Sequence, residues 1–148
     1  MELSMVFTLL GGFLTAAGAA LLFHVPARAA LVCGAIGILA GAVKLMSGAF
    51  IDSTILSTFF ATLLVALLAH VAARVERMPV TVYLIPCIFP FVPGAGMYQI
   101  VFSLIENRTG DAIAFFFRTM VEAGAIALSI FIIDTIFRLG RRVHTKCT

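Results

Sequence analysis

Two charged side chains stand four residues apart inside an apolar run: Arg118 and Glu122, in "GDAIAFFFRTMVEAGAIALSIFIIDTIFRLG". On a helix that spacing places them on one face, one turn apart. Charges in hydrocarbon are expensive even when paired, so they mark transport pathways or fix helix register. The pair reads either as a buried ion pair that sets register or as chemistry. In the second case Arg118 binds a carboxylate and Glu122 titrates or binds an ammonium group. A second cluster lies in "FPFVPGAGMY", 89–98, where prolines and glycines interrupt an apolar stretch. In a continuing helix Pro86, Pro90 and Pro93 remove their own amide donors and free the carbonyls of Val82, Pro86 and Phe89. Gly94 and Gly96 permit a sharp backbone change. A new half-helix starting near Ala95 would present unpaired amides with partial positive charge. The expected product is a site with carbonyls on one flank and amides on the other, a device of secondary transporters. The competing expectation is a structural kink that lets Gly94 and Gly96 pack closely. Tyr98 and Gln99, on the new half-helix, can add side-chain hydrogen bonds.

The rest of the chain must place these residues in a membrane. Of 148 residues, 62% are hydrophobic and 11% charged, with a mean hydropathy of +1.15. A soluble domain of this size cannot hide so much apolar surface. The fold class expected is all-α: a polytopic integral membrane protein of about five transmembrane helices, the fourth broken by Pro and Gly near the midplane. The spans fall at about 4–23, 28–47, 52–75, 79–105 and 110–138, followed by a basic tail at 139–148, in a single transmembrane domain. Asp52, Ser53 and Thr54 suggest an N-cap for the third span, and Pro79 stands near the first helical position of the fourth. Glu2, with no Lys or Arg before the first span, argues against a secretory signal. No lipidation motif is seen.

Span lengths and turns give depth. The fourth span covers 27 residues, 79–105, which is roughly 40 Å of helix against about 30 Å of hydrocarbon. Its midpoint falls between Phe91 and Pro93, so the break lies near the bilayer centre. Spans four and five form a hairpin about Arg108. Glu122 stands 14 residues beyond that turn and Gly94 stands 14 before it, while Arg118 and Tyr98 stand 10 from it. A simple hairpin therefore puts the charged pair at the depth of the break, facing it.

Charge gives orientation. Arg28, Arg74, Arg77, Arg138, Arg141, Arg142 and Lys146 fall on one side, against Lys44 and Arg108 on the other. The positive-inside rule then puts the N-terminus outside and the C-terminus in the cytoplasm, in a cell (inner or plasma) membrane. The net charge of +3 is too small and dispersed to suggest nucleic acid.

The remaining polar residues read as structural. Gly34, Gly37 and Gly41 suit close helix packing or a substrate-lining face. Lys44 can snorkel from the end of its span. His70, one turn before Arg74, reads as interfacial, and Asp134 with Arg138 as a four-residue pair. Asn107, Gly110 and Asp111 read as turn and capping residues. The Asn107–Arg108–Thr109 acceptor pattern lies in a hairpin too short for glycosylation. Cys33 and Cys87 read as small hydrophobes, with neither a disulfide framework nor a metal site expected. No cofactor is implied, and no constellation supports an enzyme.

The segment "IPCIFPFVPGAGMYQIVFSLIENRTGDAIA", 85–114, resembles the Pro–Gly signature of the threonine/serine exporter (ThrE) family, and chain size and hydropathy resemble its small separate subunit of the YjjB type. The Glu122–Ala–Gly124 stretch and "FHVPARA", 23–29, are also similar to that family. The resemblance implies gradient-driven export of small amino acids such as threonine and serine, or of a dicarboxylate. It implies functional positions at Pro86, Pro90, Pro93, Gly94 and Tyr98, and turn positions at Asn107, Gly110 and Asp111. It also implies a complementary ThrE-like membrane subunit, a homo-oligomer, or both, because full-length members fuse two membrane halves behind an N-terminal soluble region. The rival reading is a non-transporting subunit that stabilises another membrane complex, in which the prolines only shape packing.

Overall fold

The computed structural model describes the backbone of residues 2–50 and 53–145, and the side chains of 5–48 and 53–139. Six helices follow in order: α1 (Glu2–Leu22), α2 (Ala27–Phe50), α3 (Thr54–Val75), α4 (Thr81–Ile88), α5 (Gly94–Ile105) and α6 (Thr109–Thr145). A 3-10 turn, Phe89–Phe91, joins α4 to α5. Four helices are individually long and apolar enough to cross a membrane, and α4 with α5 passes as a pair bent by 46°. The fold is therefore the polytopic helical membrane architecture read from composition. Asp52 and the tail beyond Thr145 lie outside the described residues. The helix expected to stop at 138 runs on to Thr145.

Three chain reversals use one device. His24, Arg77 and Asn107 all have positive φ, at 56°, 54° and 57°. After α1, the Val25 amide donates to the Ala20 carbonyl and the His24 amide to Leu21, both at 3.0 Å. After α5, Arg108 donates to Ser103 at 2.8 Å and Asn107 to Leu104 at 3.1 Å. This is the Schellman closure, which satisfies orphan carbonyls at a helix end. It is seen again after α3, where the Met78 amide reaches Ala73 at 3.0 Å. Pro26 and Pro79 follow two residues after the left-handed residue and stop the helix from resuming early. Pro79 thus precedes the first helical residue of α4 rather than occupying it. Ser53 takes the N-cap position of α3 with extended backbone, but its side chain makes no capping hydrogen bond.

Small residues set the packing. The core contains Ala20, Ala29, Ala40, Ala61, Ala69 and Ala73, with Val65, Cys33, Cys87 and Tyr83, all buried. Helices in lipid gain little from oil-like burial and associate through close contact instead. The backbones of α1 and α2 come close, for a methyl group at Gly37 would come within 2.6 Å of the Gly12 carbonyl oxygen. A methyl at Gly34 would collide with the ring of Phe13.

Direction follows from the contacts between helices. Thr58 meets Glu122, Thr62 meets Ser129, and His70 meets Asp134, so α3 and α6 run parallel. The α5–α6 hairpin folds back at Glu106–Arg108. The α4–α5 pair therefore runs from the end of the bundle that holds Tyr83 and Glu76 to the end that holds Arg108. Gly37→Val is expected to destabilise the fold by about 1–3 kcal/mol through overpacking. A thermal melt of the detergent-solubilised chain checks this, with Gly18→Ala unchanged because nothing lies within 4 Å of the added methyl.

Candidate functional site

The proline break is not a nest of open backbone groups. The Pro86 carbonyl, released by Pro90, accepts from the Phe89 amide. The Phe89 carbonyl, released by Pro93, accepts from Val92 at 3.4 Å. The Gly94 amide turns back to the Val92 carbonyl at 2.7 Å across Pro93, whose φ of −75° and ψ of 56° form an inverse γ-turn. Tighter local bonds thus replace the lost helical ones. The glycines do not make the bend, for neither Gly94 nor Gly96 has positive φ. Gly96 serves another purpose: its bare Cα lets α5 close on Thr119 of α6, where a methyl would strike the hydroxyl. Gly94 has open space around it.

Gly96, 12 residues before Arg108, meets Thr119, 11 beyond it, so α5 and α6 pair at nearly equal distance from the turn, but Arg118 and Glu122 do not face the break. The buried face of α6, however, is the stripe Ala112, Thr119, Ile126, Ser129 and Ile133. Arg118 sits about 100° around the helix from Thr119 and is exposed. Glu122 is half-buried and turns toward α3, accepting a hydrogen bond from the Thr58 hydroxyl at 3.2 Å. Among the described residues Arg118 and Glu122 form no ion pair with each other. Tyr98 and Gln99 are also exposed, with Tyr98 stacked on Phe102 at 5.8 Å. Pro86 is fully buried in the core. At the turn, Asn107 supplies the left-handed residue, Asp111 lies 3.6 Å from Arg108, and Gly110 is open to its surroundings.

A cavity of about 880 Å³ lies on the other side of the break, between α1, α2, α3 and the 3-10 turn. Glycines line one wall (Gly11, Gly12, Gly37, Gly41 and Gly48), and Phe89, Pro90 and Phe91 line another. Its polar groups are Lys44 and the hydroxyls of Thr8, Thr15, Thr54 and Ser57. Pro90 is the one residue of the sequence-derived set that reaches it. Lys44, read from sequence as a snorkelling cation, instead holds its ammonium 5.6 Å from the centre of the Phe91 ring, within cation–π range. Among the described residues no carboxylate makes an ion pair with it. The hydroxyl protons of Thr15 and Ser57 are committed to the carbonyls of Gly11 (2.6 Å) and Ser53 (2.9 Å). Their oxygens are therefore left to accept. The cavity offers a cation at one point and hydrogen-bond acceptors at others. Along α2 it extends from Gly37, at the middle of the span, to Gly48 at its end, roughly 16 Å of helix.

A second polar feature runs down the α3–α6 seam. Ser129 donates to the Thr62 hydroxyl at 2.8 Å, and Thr62 donates to the Thr58 carbonyl at 2.8 Å. Thr58, Thr62 and Ser129 are all fully buried. Further along, His70 is only 4% exposed and faces Asp134. The sequence places it at a boundary by depth, and the fold adds that α6 covers it. The signal for this seam was present: Thr58, Thr62 and His70 recur at helical spacing on one face of α3, matched by Ser129 and Asp134 on α6.

A polytopic helical bundle with one broken span and a polar cavity beside the break is the architecture of a small-molecule transporter. The chain belongs to the threonine/serine exporter family, ThrE, whose family model matches residues 8–136. No curated protein and no solved structure matches it. Membership supports a transport role of the threonine/serine exporter type, in a multi-pass membrane location.

The seam carries its own test. Thr58→Val removes the hydroxyl that Glu122 uses and is expected to cost about 0.6–2 kcal/mol, the range for interhelical hydrogen bonds in membranes. Thermal melting in detergent reads the loss, and Thr15→Val, whose bond stays within its own helix, serves as the small-effect control.

Proposed function

We propose that the α1–α2–α3 cavity is the site at which a small zwitterionic amino acid such as threonine or serine binds during export. The observation that carries this reading is the placement of Lys44 over Phe91 at the cavity wall, opposite hydroxyl oxygens whose protons are already used. Lys44 would hold the substrate carboxylate, and Thr15 and Ser57 would accept from its ammonium group. The glycine wall leaves room for a small side chain. A dicarboxylate fits less well, because its second carboxylate would meet acceptor oxygens rather than donors. The family relationship supports the substrate class.

In this reading export is driven by an ion or proton gradient, and the basic ends of α3 and α6 lie in the cytoplasm. The cavity then opens toward the outside, and its floor is the Gly12–Gly37 contact at mid-span. Closing that end and opening the other would require the 3-10 turn to shift against α1 and α2, as in alternating access. A complementary membrane subunit completes the exporter. The exposed outer face of α5 and α6, which carries Tyr98, Gln99 and Arg118, suits such a neighbour, because an arginine within a span favours protein over lipid.

The test is export from vesicles that hold the chain with its complementary subunit. Lys44→Gln is expected to weaken the apparent affinity for threonine about ten- to a hundredfold, as loss of a charge-assisted hydrogen bond of about 1.5–3 kcal/mol implies. Tyr98→Phe is expected to leave it unchanged. Unaltered affinity in Lys44→Gln, or succinate exported as well as threonine, would overturn the assignment.

A further inference from the structure

We propose that His70 and Asp134 form a proton-binding site in the seam between α3 and α6, with the exchangeable proton held on Nε2 of His70 against the Asp134 carboxylate. Nδ1 lies 2.9 Å from the Ala66 carbonyl oxygen. A carbonyl can only accept, so Nδ1 carries a hydrogen in every state of this geometry. The neutral ring is therefore the Nδ1–H tautomer, and its Nε2 is a lone pair. Nε2 lies 3.5 Å from Asp134 Oδ1. With no proton between them, two acceptors oppose each other in a buried seam. With one proton, an N–H bond on Nε2 points at a carboxylate oxygen, and the two become a charged pair.

The surroundings separate the two states. Asp134 Oδ2 accepts from Arg138 Nε at 2.6 Å, which leaves Oδ1 for His70. The imidazole lies 4.6 Å from the ring of Phe137, and the Arg74 guanidinium sits 4.7 Å from that same ring. The helices α2 and α4 also pack on α3. At this end α2 carries Arg28 and Cys33, and α4 carries Tyr83 and Cys87. Tyr83 donates to Glu76 at 2.5 Å, and the Cys87 thiol is directed at the Cys33 carbonyl at 3.7 Å, so Tyr83 and Cys87 are engaged away from the seam. The Asp134 side chain is 38% exposed while that of His70 is 5% exposed. A proton thus enters from water by way of the carboxylate: the Oδ1–H bond breaks as the Nε2–H bond forms, and release runs the same steps backwards.

Occupancy bears on packing. The protonated pair ties α3 to α6, and the empty pair pushes them apart. The same α3 carries Thr54 and Ser57 at the cavity, so a shift of this helix on α6 links proton occupancy to the substrate site. Histidine is the side chain whose ordinary titration falls near physiological pH, which suits a site that must load and unload. This link to transport rests on the export reading above; the proton site itself does not.

Two measurements on the full chain in lipid vesicles keep the claims apart. The first is nitrogen NMR of ring-labelled histidine between about pH 5 and 8, with the His70 signals assigned by their loss in His70→Gln. The expected result is an Nδ1 that stays protonated throughout and an Nε2 that alone gains and loses a proton. A neutral ring protonated on Nε2, or a ring that does not respond to pH, overturns the site. The second compares threonine accumulation driven by a pH gradient with threonine–threonine exchange, in vesicles that also hold the complementary subunit. His70→Gln and Asp134→Asn are expected to abolish the driven accumulation and to retain the exchange. Driven accumulation that persists in both variants, or exchange lost together with it, overturns the coupling. Absence of exchange in the unaltered protein, with the NMR result intact, overturns the export reading and leaves the proton site standing.

Discussion

Backbone polar groups in hydrocarbon must be satisfied within the protein, and this constraint shapes the centre of the molecule. Pro90 and Pro93 release carbonyls in a place where water is scarce. The chain answers with tight turns that rebind those carbonyls three residues away, and an inverse γ-turn across Pro93 then seats the Gly94 amide on the Val92 carbonyl. That tightening bends the span by 46° and turns Phe91 into the bundle, where it is 4% exposed. Phe91 then forms the surface over which Lys44 lies. The break therefore acts through the side chains it places, and not through free amides and carbonyls.

The same reasoning explains why the cavity lies where it does. The bare backbones of Gly12 and Gly37 bring α1 onto α2 at mid-span, and the closed contact forms a floor. Above it, Gly41 and Gly48 keep the wall thin as the helices continue to their ends. Small residues thus both pack closely and line the cavity along α2. The α3–α6 seam is built on the opposite principle. There, interior hydroxyls, a histidine and two carboxylates meet partners across the interface, so the helices are held by directional bonds that geometry can switch.

Much of the architecture was legible from sequence because membranes impose simple rules. Length and hydropathy located the helices to within a few residues, and prolines marked the broken span. Counting from Arg108 set Glu122 level with Gly94 and Arg118 level with Tyr98, and in the fold the neighbouring pair Gly96 and Thr119 makes the contact between α5 and α6. Azimuth was not legible in the same way. One residue along a helix turns a side chain by about 100°, so Arg118 and Thr119 share a depth while one faces outward and the other inward. Lys44 reads from sequence as a snorkelling cation, and its contact with Phe91, 47 residues away, is visible only in the fold. His70 was placed at a boundary by its nearness to Arg74, and only the parallel pairing of α3 with α6 brings Asp134 over it. The glycines after Pro93 suggested backbone freedom, but proline geometry made the turn and left Gly96 for close approach.

The central claim is that the substrate occupies the cavity beside the break rather than the outer face of α5. Site-directed labelling tests it most directly. With Cys33, Cys87 and Cys147 replaced, single cysteines at Ser57 and at Gly94 are exposed to a water-soluble thiol reagent with and without threonine. The account predicts labelling at position 57 that threonine suppresses, and no protection by threonine at position 94. Protection at position 94 with none at 57 would contradict it.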